Sequence, residues 1–217
     1  VGDAKLFNIQ VKTPNITNFS PKFSRAKGNI YFGVKDVKSL TGKTGDKVLV
    51  AVNELKENLK KNIENFYWLE ILIFLSKEIN STAFKALASV GFFRGFKDRV
   101  SRNRALYEYE IYKGLTKAEK AWVEENYKKK RWKTLKDCLV DLAPTKKEGG
   151  GTSRKNRSDL VMNEIFFLDN PPYDLSDDPS WVIEQEVKFL GCPVSMSRVE
   201  SSDTSSANSS CKEIIDG

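Results

Sequence analysis

Residues 66–75, FYWLEILIFL, place apolar or aromatic side chains on every side of a helix, with Glu70 as the single charge. A helix that is apolar all round has to be buried, so this stretch predicts the centre of the fold. It is only about half the roughly twenty residues needed to cross a bilayer. Outward toward the N-terminus, Val48, Val52, Leu55, Leu59, Ile63 and Phe66 recur every three or four residues. Glu54, Lys56, Glu57, Lys60 and Lys61 fall between them, which is the pattern of an amphipathic helix starting near Lys47.

Outward toward the C-terminus, Ser81 reads as the N-cap of a helix through Ala83, Leu87 and Val90 that stops at Gly91. Residues 105–113, ALYEYEIYK, alternate at Tyr107, Tyr109 and Ile111 but sit in helical flanks, and the reading is a helix closed by Gly114. Thr116 followed by Glu119 is a capping box opening a helix to about Lys129. A further helix runs from Arg131 to Leu142, with Leu135, Cys138, Leu139 and Leu142 on one face and Pro144 ending it. Before the helices, residues 5–12 alternate at Phe7, Ile9 and Val11, and residues 29–37 at Ile30, Phe32 and Val34, so two strands are expected with a broken stretch from Pro14 to Gly28 between them.

After Pro144 the composition changes. Residues 146–158, KKEGGGTSRKNRS, are basic, glycine-rich and free of large apolar residues, which reads as a flexible linker. Leu160 to Leu168 is expected as a strand, and Asp178 with Pro179 as the N-cap and first turn of a helix around Trp181 to Leu190. From Ser195 onward serines dominate and little remains to bury, so the end is expected to be disordered. The expected fold class is α+β: a mainly helical body over residues 1–145 with a small N-terminal β element, a linker over 146–158, and an appended acidic, partly disordered C-terminal segment over 159–217.

Charge divides the 217-residue chain more sharply than its net +7 suggests: residues 1–80 carry +5, residues 81–158 carry +11 and residues 159–217 carry −9. A basic body followed by an acidic arm points to a polyanionic partner, with the arm folding back on the body to compete for it. No histidine is present, which excludes histidine-based triads and histidine-ligated zinc. Cys138, Cys192 and Cys211 are odd in number and share no CxxC spacing, so free thiols in a reducing, intracellular compartment are expected. Sequons at Asn15, Asn18, Asn80, Asn156 and Asn208 matter only for a secreted chain, which nothing else in the sequence supports. Gly42-Lys43-Thr44 lacks the spacing of a phosphate loop, since Val37 stands where the first glycine belongs.

Two basic stretches interleave cations with aromatics. Residues 91–104, GFFRGFKDRVSRNR, hold Arg94, Lys97, Arg99, Arg102 and Arg104 beside Phe92, Phe93 and Phe96. Residues 128–133 hold Lys128, Lys129, Lys130, Arg131 and Lys133 around Trp132. Guanidinium groups and ammoniums bind phosphates and exposed rings stack bases, the combination that single-stranded nucleic acid needs. For the three phenylalanines a core position is the stronger reading, for the arginines phosphate. Asp174, Asp177 and Asp178 cluster in the acidic segment, where helix capping and electrostatic mimicry outweigh a magnesium site. Ser197 and Ser210 each precede a glutamate by three residues, a pattern that acid-directed kinases accept.

Residues 115–139, LTKAEKAWVEENYKKKRWKTLKDCL, resemble the first two helices of Myb/SANT-like modules, through Thr116, Glu119, Tyr127, Trp132, Leu135 and Leu139. Leu115 stands where those modules usually carry tryptophan, and a proline and glycine-rich stretch follows where their third helix belongs. The resemblance implies duplex-DNA binding through residues 115–142 as an alternative. The residues themselves point to a non-enzymatic, sequence-tolerant protein of RNA or single-stranded nucleic acid, without cofactor, metal or catalytic residues. A virus-encoded capsid-associated, transport or silencing-related protein would have this build. Two further alternatives are a peripheral membrane or scaffold protein using Trp68 to Phe74, although a membrane partner is not favoured, and a histidine-free, metal-dependent nuclease.

Overall fold

The computed structural model describes residue 4 and residues 7–59, 65–96, 98–143 and 152–196, and the side chains of residues 58, 59 and 152–158 are outside that description. The chain is α+β and mainly helical, with a three-stranded sheet at its N-terminal end. Strands β1 (Val11–Lys12) and β3 (Asn29–Tyr31) pair in parallel, Lys12 opposite Tyr31, and β2 (Ser24–Ala26) pairs antiparallel with β3. Lys27 and Gly28 both adopt positive φ (50° and 75°), the two-residue turn whose twist suits a hairpin. The strand expected over residues 5–12 is thus shorter: Asn8 turns at φ 55°, and only Val11 and Lys12 extend the sheet. The second expected strand also ends early, because Val34–Asp36 forms a 3-10 turn. Gly33 is required before it, since a Cβ there would stand 2.4 Å from the Lys22 backbone.

Eight α-helices follow among the described residues: α1 (Gly42–Leu59), α2 (Trp68–Glu78), α3 (Ser81–Ser89), α4 (Arg102–Gly114), α5 (Lys117–Lys130), α6 (Leu135–Leu142), α7 (Thr152–Asp169) and α8 (Pro179–Leu190). Helix α2 is the apolar stretch, and it is central: Trp68, Leu69, Ile71, Leu72, Ile73 and Leu75 are all buried. No helix of the described residues is long and apolar enough to cross a bilayer. Trp68 packs on Phe84 and Phe93, Phe84 stacks on Tyr109 at 4.0 Å, and the Trp68 indole N–H donates to Glu108 at 2.9 Å. Caps define the ends. Thr116 and Glu119 form the expected box on α5, and Asp178 accepts from the Trp181 N–H on α8. Helix α3 is capped by Asn80, one residue before the expected Ser81.

Two sequence expectations change. Leu160 to Leu168 is helix, not strand: Val161 and Ile165 are buried and Leu168 half-buried, a spacing of four and three that follows α7 onto α6. Residues 152–158 of the expected linker belong to that helix, while residues 144–151 lie outside the described residues. Within the acidic segment, Val161, Ile165, Leu190 and Val194 join the same buried cluster as α2 and α3. The serine-rich end from residue 197, with Ser197, Ser210 and Cys211, lies outside the described residues.

Candidate nucleic-acid interface

After α3 the chain reverses at Gly91, whose φ of 78° suits a residue without a side chain. The next turns send Phe92, Phe93 and Phe96 inward, where each is at most 2% exposed, so these rings are core and offer no stacking face. Arg94 and Arg99 point outward and are exposed, and neither joins an ion pair among the described residues. Lys97 lies outside the described residues.

Residues 15–17 hold this loop in place. The Asn15 amide N–H donates to the Arg94 carbonyl, its carbonyl oxygen accepts from the Thr17 N–H (2.9 Å) and hydroxyl (2.7 Å), and the Ile16 N–H donates to Phe92 O at 2.9 Å. Gly95 is needed at this contact, since its Cβ would fall 2.7 Å from the Asn15 side chain. Two adjoining grooves result. One, of about 690 Å³, is bordered by Gln10, Lys12, Asn15, Tyr31, Gly91 and Arg94. The other, of about 520 Å³, shares Asn15 and Arg94 and adds Arg99, Ser101 and Asp177.

Arg102 does not reach this surface. It is 1% exposed, and its Nη2 meets Glu186 Oε1 at 2.7 Å and the Ser195 hydroxyl at 3.1 Å, while Nη1 donates to Ser89 O at 3.0 Å. Glu186 in turn accepts the Val194 (2.6 Å) and Ser195 (2.8 Å) N–H groups and the Ser195 hydroxyl. Burial alone would raise the Glu186 carboxyl, yet the bonds from Ser195, Arg102 and Val194 hold it below the usual carboxylate range. The expected phosphate contact at Arg102 is therefore a buried ion pair that fastens α8 to α4. Arg104 is half exposed and its Nε donates to Glu108 Oε1 at 2.6 Å. Burial pushes the Glu108 carboxyl up against the opposing pull of Arg104 and Trp68.

The acidic residues nearby are also committed. Asp177 accepts the Arg102 and Asn103 N–H groups at the start of α4 (2.7 and 3.4 Å), Asp174 binds Ser176, and Asp178 caps α8. No group of three metal-ligating side chains converges among the described residues. Cys138 is buried, which pushes its thiol up to about 12 and removes it as a nucleophile.

The second basic stretch ends α5. Lys128, Lys129 and Lys130 occupy its last turn, where cations complement the helix dipole, and Arg131 closes it at φ 56°. The helix expected to begin at Arg131 therefore starts at Leu135. Lys129 pairs with Glu125 at 3.2 Å and Lys130 with Asp141 at 3.6 Å. Trp132 is 8% exposed, lies 5.5 Å from the Trp122 ring and donates to Asp141, so it is a packing residue. Lys128, Arg131 and Lys133 remain exposed and outside ion pairs among the described residues. No hydrogen bond or ion pair among the described residues joins this stretch to Arg94–Arg104.

No protein-family model matches the chain, and no curated protein matches it. Lys12 and Tyr31, which the sequence reading passed over, are brought to the Arg94 groove by parallel pairing of β1 with β3. No local signal announces such a pairing.

Proposed function

We propose that the chain binds RNA or single-stranded nucleic acid without acting on it, and that Arg94 and Arg99 hold the phosphate backbone. One observation carries the reading: two exposed arginines, unspent on any carboxylate of the described residues, border adjoining grooves that also present Lys12 and the half-buried ring of Tyr31. Guanidiniums supply bidentate phosphate contacts, and a ring beside them supplies a face for one unstacked base. A duplex reader needs an exposed cationic helix to enter a groove. The described side chains of the helix that follows the α5–α6 pair include Asp159, Glu164 and Asp169 beside exposed Phe166 and Phe167, while its first turns carry Arg154, Lys155 and Arg157 in sequence, so the comparison of single strands with duplex decides between the two readings.

Fluorescence anisotropy with oligo-uridylate, single-stranded DNA and duplex DNA across a salt series tests this. Single strands bind more tightly than duplex, without metal-dependent cleavage. In the double variant Arg94→Gln/Arg99→Gln the slope of log affinity against log salt falls by about 1.4, two phosphates at roughly 0.7 each. An unchanged slope in the folded variant, or tighter binding of duplex, overturns the proposal.

A further inference from the structure

Arg102 bonds through both terminal nitrogens, but its Nε has no partner among the described residues although the side chain is 1% exposed. A buried guanidinium N–H without an acceptor is costly and seldom left so. This one lies under the chain reversal. A Cβ on Gly91 would stand 3.0 Å from Arg102 Nε and 3.2 Å from Arg94 Cδ, so both arginine side chains pass close to this glycine. Gly91, Arg94, Ser195 and Lys12 all border the 690 Å³ groove, and the buried Arg102 lies against Gly91 and bonds to Ser195. The Glu186 carboxylate that answers Arg102 also takes the Val194 and Ser195 N–H groups. Asp177 takes backbone N–H groups of α4 and lines the other groove.

We propose that the Gly91 border of this groove is a subsite for one phosphate group. The Arg94 guanidinium and the Lys12 ammonium hold its oxygens from the open side. Arg102 Nε–H becomes the buried donor when the Arg94 stem moves off it onto the ligand. A phosphate takes several convergent N–H donors, and charge-assisted bonds of this kind are the strong ones. The phosphate has two sources, a nucleic-acid strand or a free ion, and the first rests on the function proposed above.

The test follows amide resonances during titration with inorganic phosphate, then measures oligo-uridylate affinity with and without a 5′-phosphate. Phosphate shifts the Gly91 and Ser195 resonances first. Arg94→Gln and Gly91→Ala each weaken phosphate binding about tenfold or more, the worth of one hydrogen bond to a charged group. Lys47→Gln, on the exposed face of α1, leaves it unchanged. Should Gly91→Ala fail to fold, Arg94→Gln and Lys12→Gln, both outside any ion pair of the described residues, carry the test. Shifts scattered elsewhere, or binding unchanged in Arg94→Gln, overturn the subsite even if RNA is bound. Phosphate bound at Gly91 by a chain that retains no oligonucleotide upholds the subsite and overturns the nucleic-acid function.

Discussion

Gly91–Arg104 and Lys128–Lys133 share one composition, cations set among aromatic rings, and fold to opposite ends. The first threads the core. It turns its three phenylalanines inward, buries Arg102 against Glu186 and leaves Arg94 and Arg99 on the grooves. The second finishes a helix, and two of its lysines are answered by Glu125 and Asp141 on the same surface. Density of charge therefore does not measure availability of charge. What decides it is whether each cation meets a carboxylate brought in by the fold, and those carboxylates come from the residue four positions back, the next helix, or a helix more than eighty residues away.

The largest test of the difference is Glu186→Gln. It leaves Arg102 as an uncompensated charge inside the protein, and breaking a buried pair from one side costs about 3–5 kcal/mol. Replacing both partners, Arg102→Met with Glu186→Leu, restores most of that loss in chemical denaturation. The pH dependence has a definite sign. The folded carboxyl of Glu186 is held below its unfolded value, so its contribution is complete above the ordinary carboxylate range and is lost as pH falls through the folded value. The gap between parent and Glu186→Gln accordingly narrows on acidification.

Binding gives the next test. With Lys128, Lys129, Lys130 and Arg131 all changed to glutamine, the salt slope for oligo-uridylate falls by less than in the Arg94→Gln/Arg99→Gln protein, about one unit or under against about 1.4. Lys129 and Lys130 already have carboxylates within 4 Å, so fewer counterions are released there per charge removed. A larger drop from the lysine run would reverse the ranking and move the interface to the end of α5.

Local chemistry was readable in advance and distant pairing was not. Thr116 with Glu119, and Asp178 before Pro179, are short-range capping signals, and both caps stand where the spacing puts them. The apolar circumference of residues 66–75 likewise marks the centre. The segment Leu160–Leu168, expected as a strand, is helix because Val161, Ile165 and Leu168 are spaced as a helix face. Strand β2 was missed because Lys27-Gly28 is a weaker hairpin signal than Asn-Gly. Arg102 could not have been separated from Arg94 and Arg99, because its partner Glu186 lies 84 positions further along the chain. For the same reason Lys12 and Tyr31 gave no sign of sharing a groove with Arg94.

The smallest effects separate two ion pairs of identical spacing, one from each stretch. Lys129 and Glu125 are both solvated, and Glu125→Gln changes stability by about 0.5 kcal/mol or less, shrinking further in high salt. Arg104 and Glu108 are also four apart, but the carboxylate is 4% exposed and accepts the Trp68 indole N–H as well. Burial raises the Glu108 carboxyl, so the folded state holds its proton more tightly than the unfolded one. Stability from this group is then full below the ordinary carboxylate range and declines as pH rises through the folded value, the reverse of Glu186. Glutamine keeps an acceptor for Trp68 and resembles the protonated acid. Glu108→Gln is therefore expected to match or exceed the parent at neutral pH, within about 1 kcal/mol, with its advantage fading on acidification. Paired urea melts of parent and variant at neutral and acidic pH measure this. A variant several kcal/mol weaker at neutral pH would mean that Arg104 and Glu108 form a second clasp like Arg102 and Glu186, and would tie the whole Gly91–Arg104 stretch to structure.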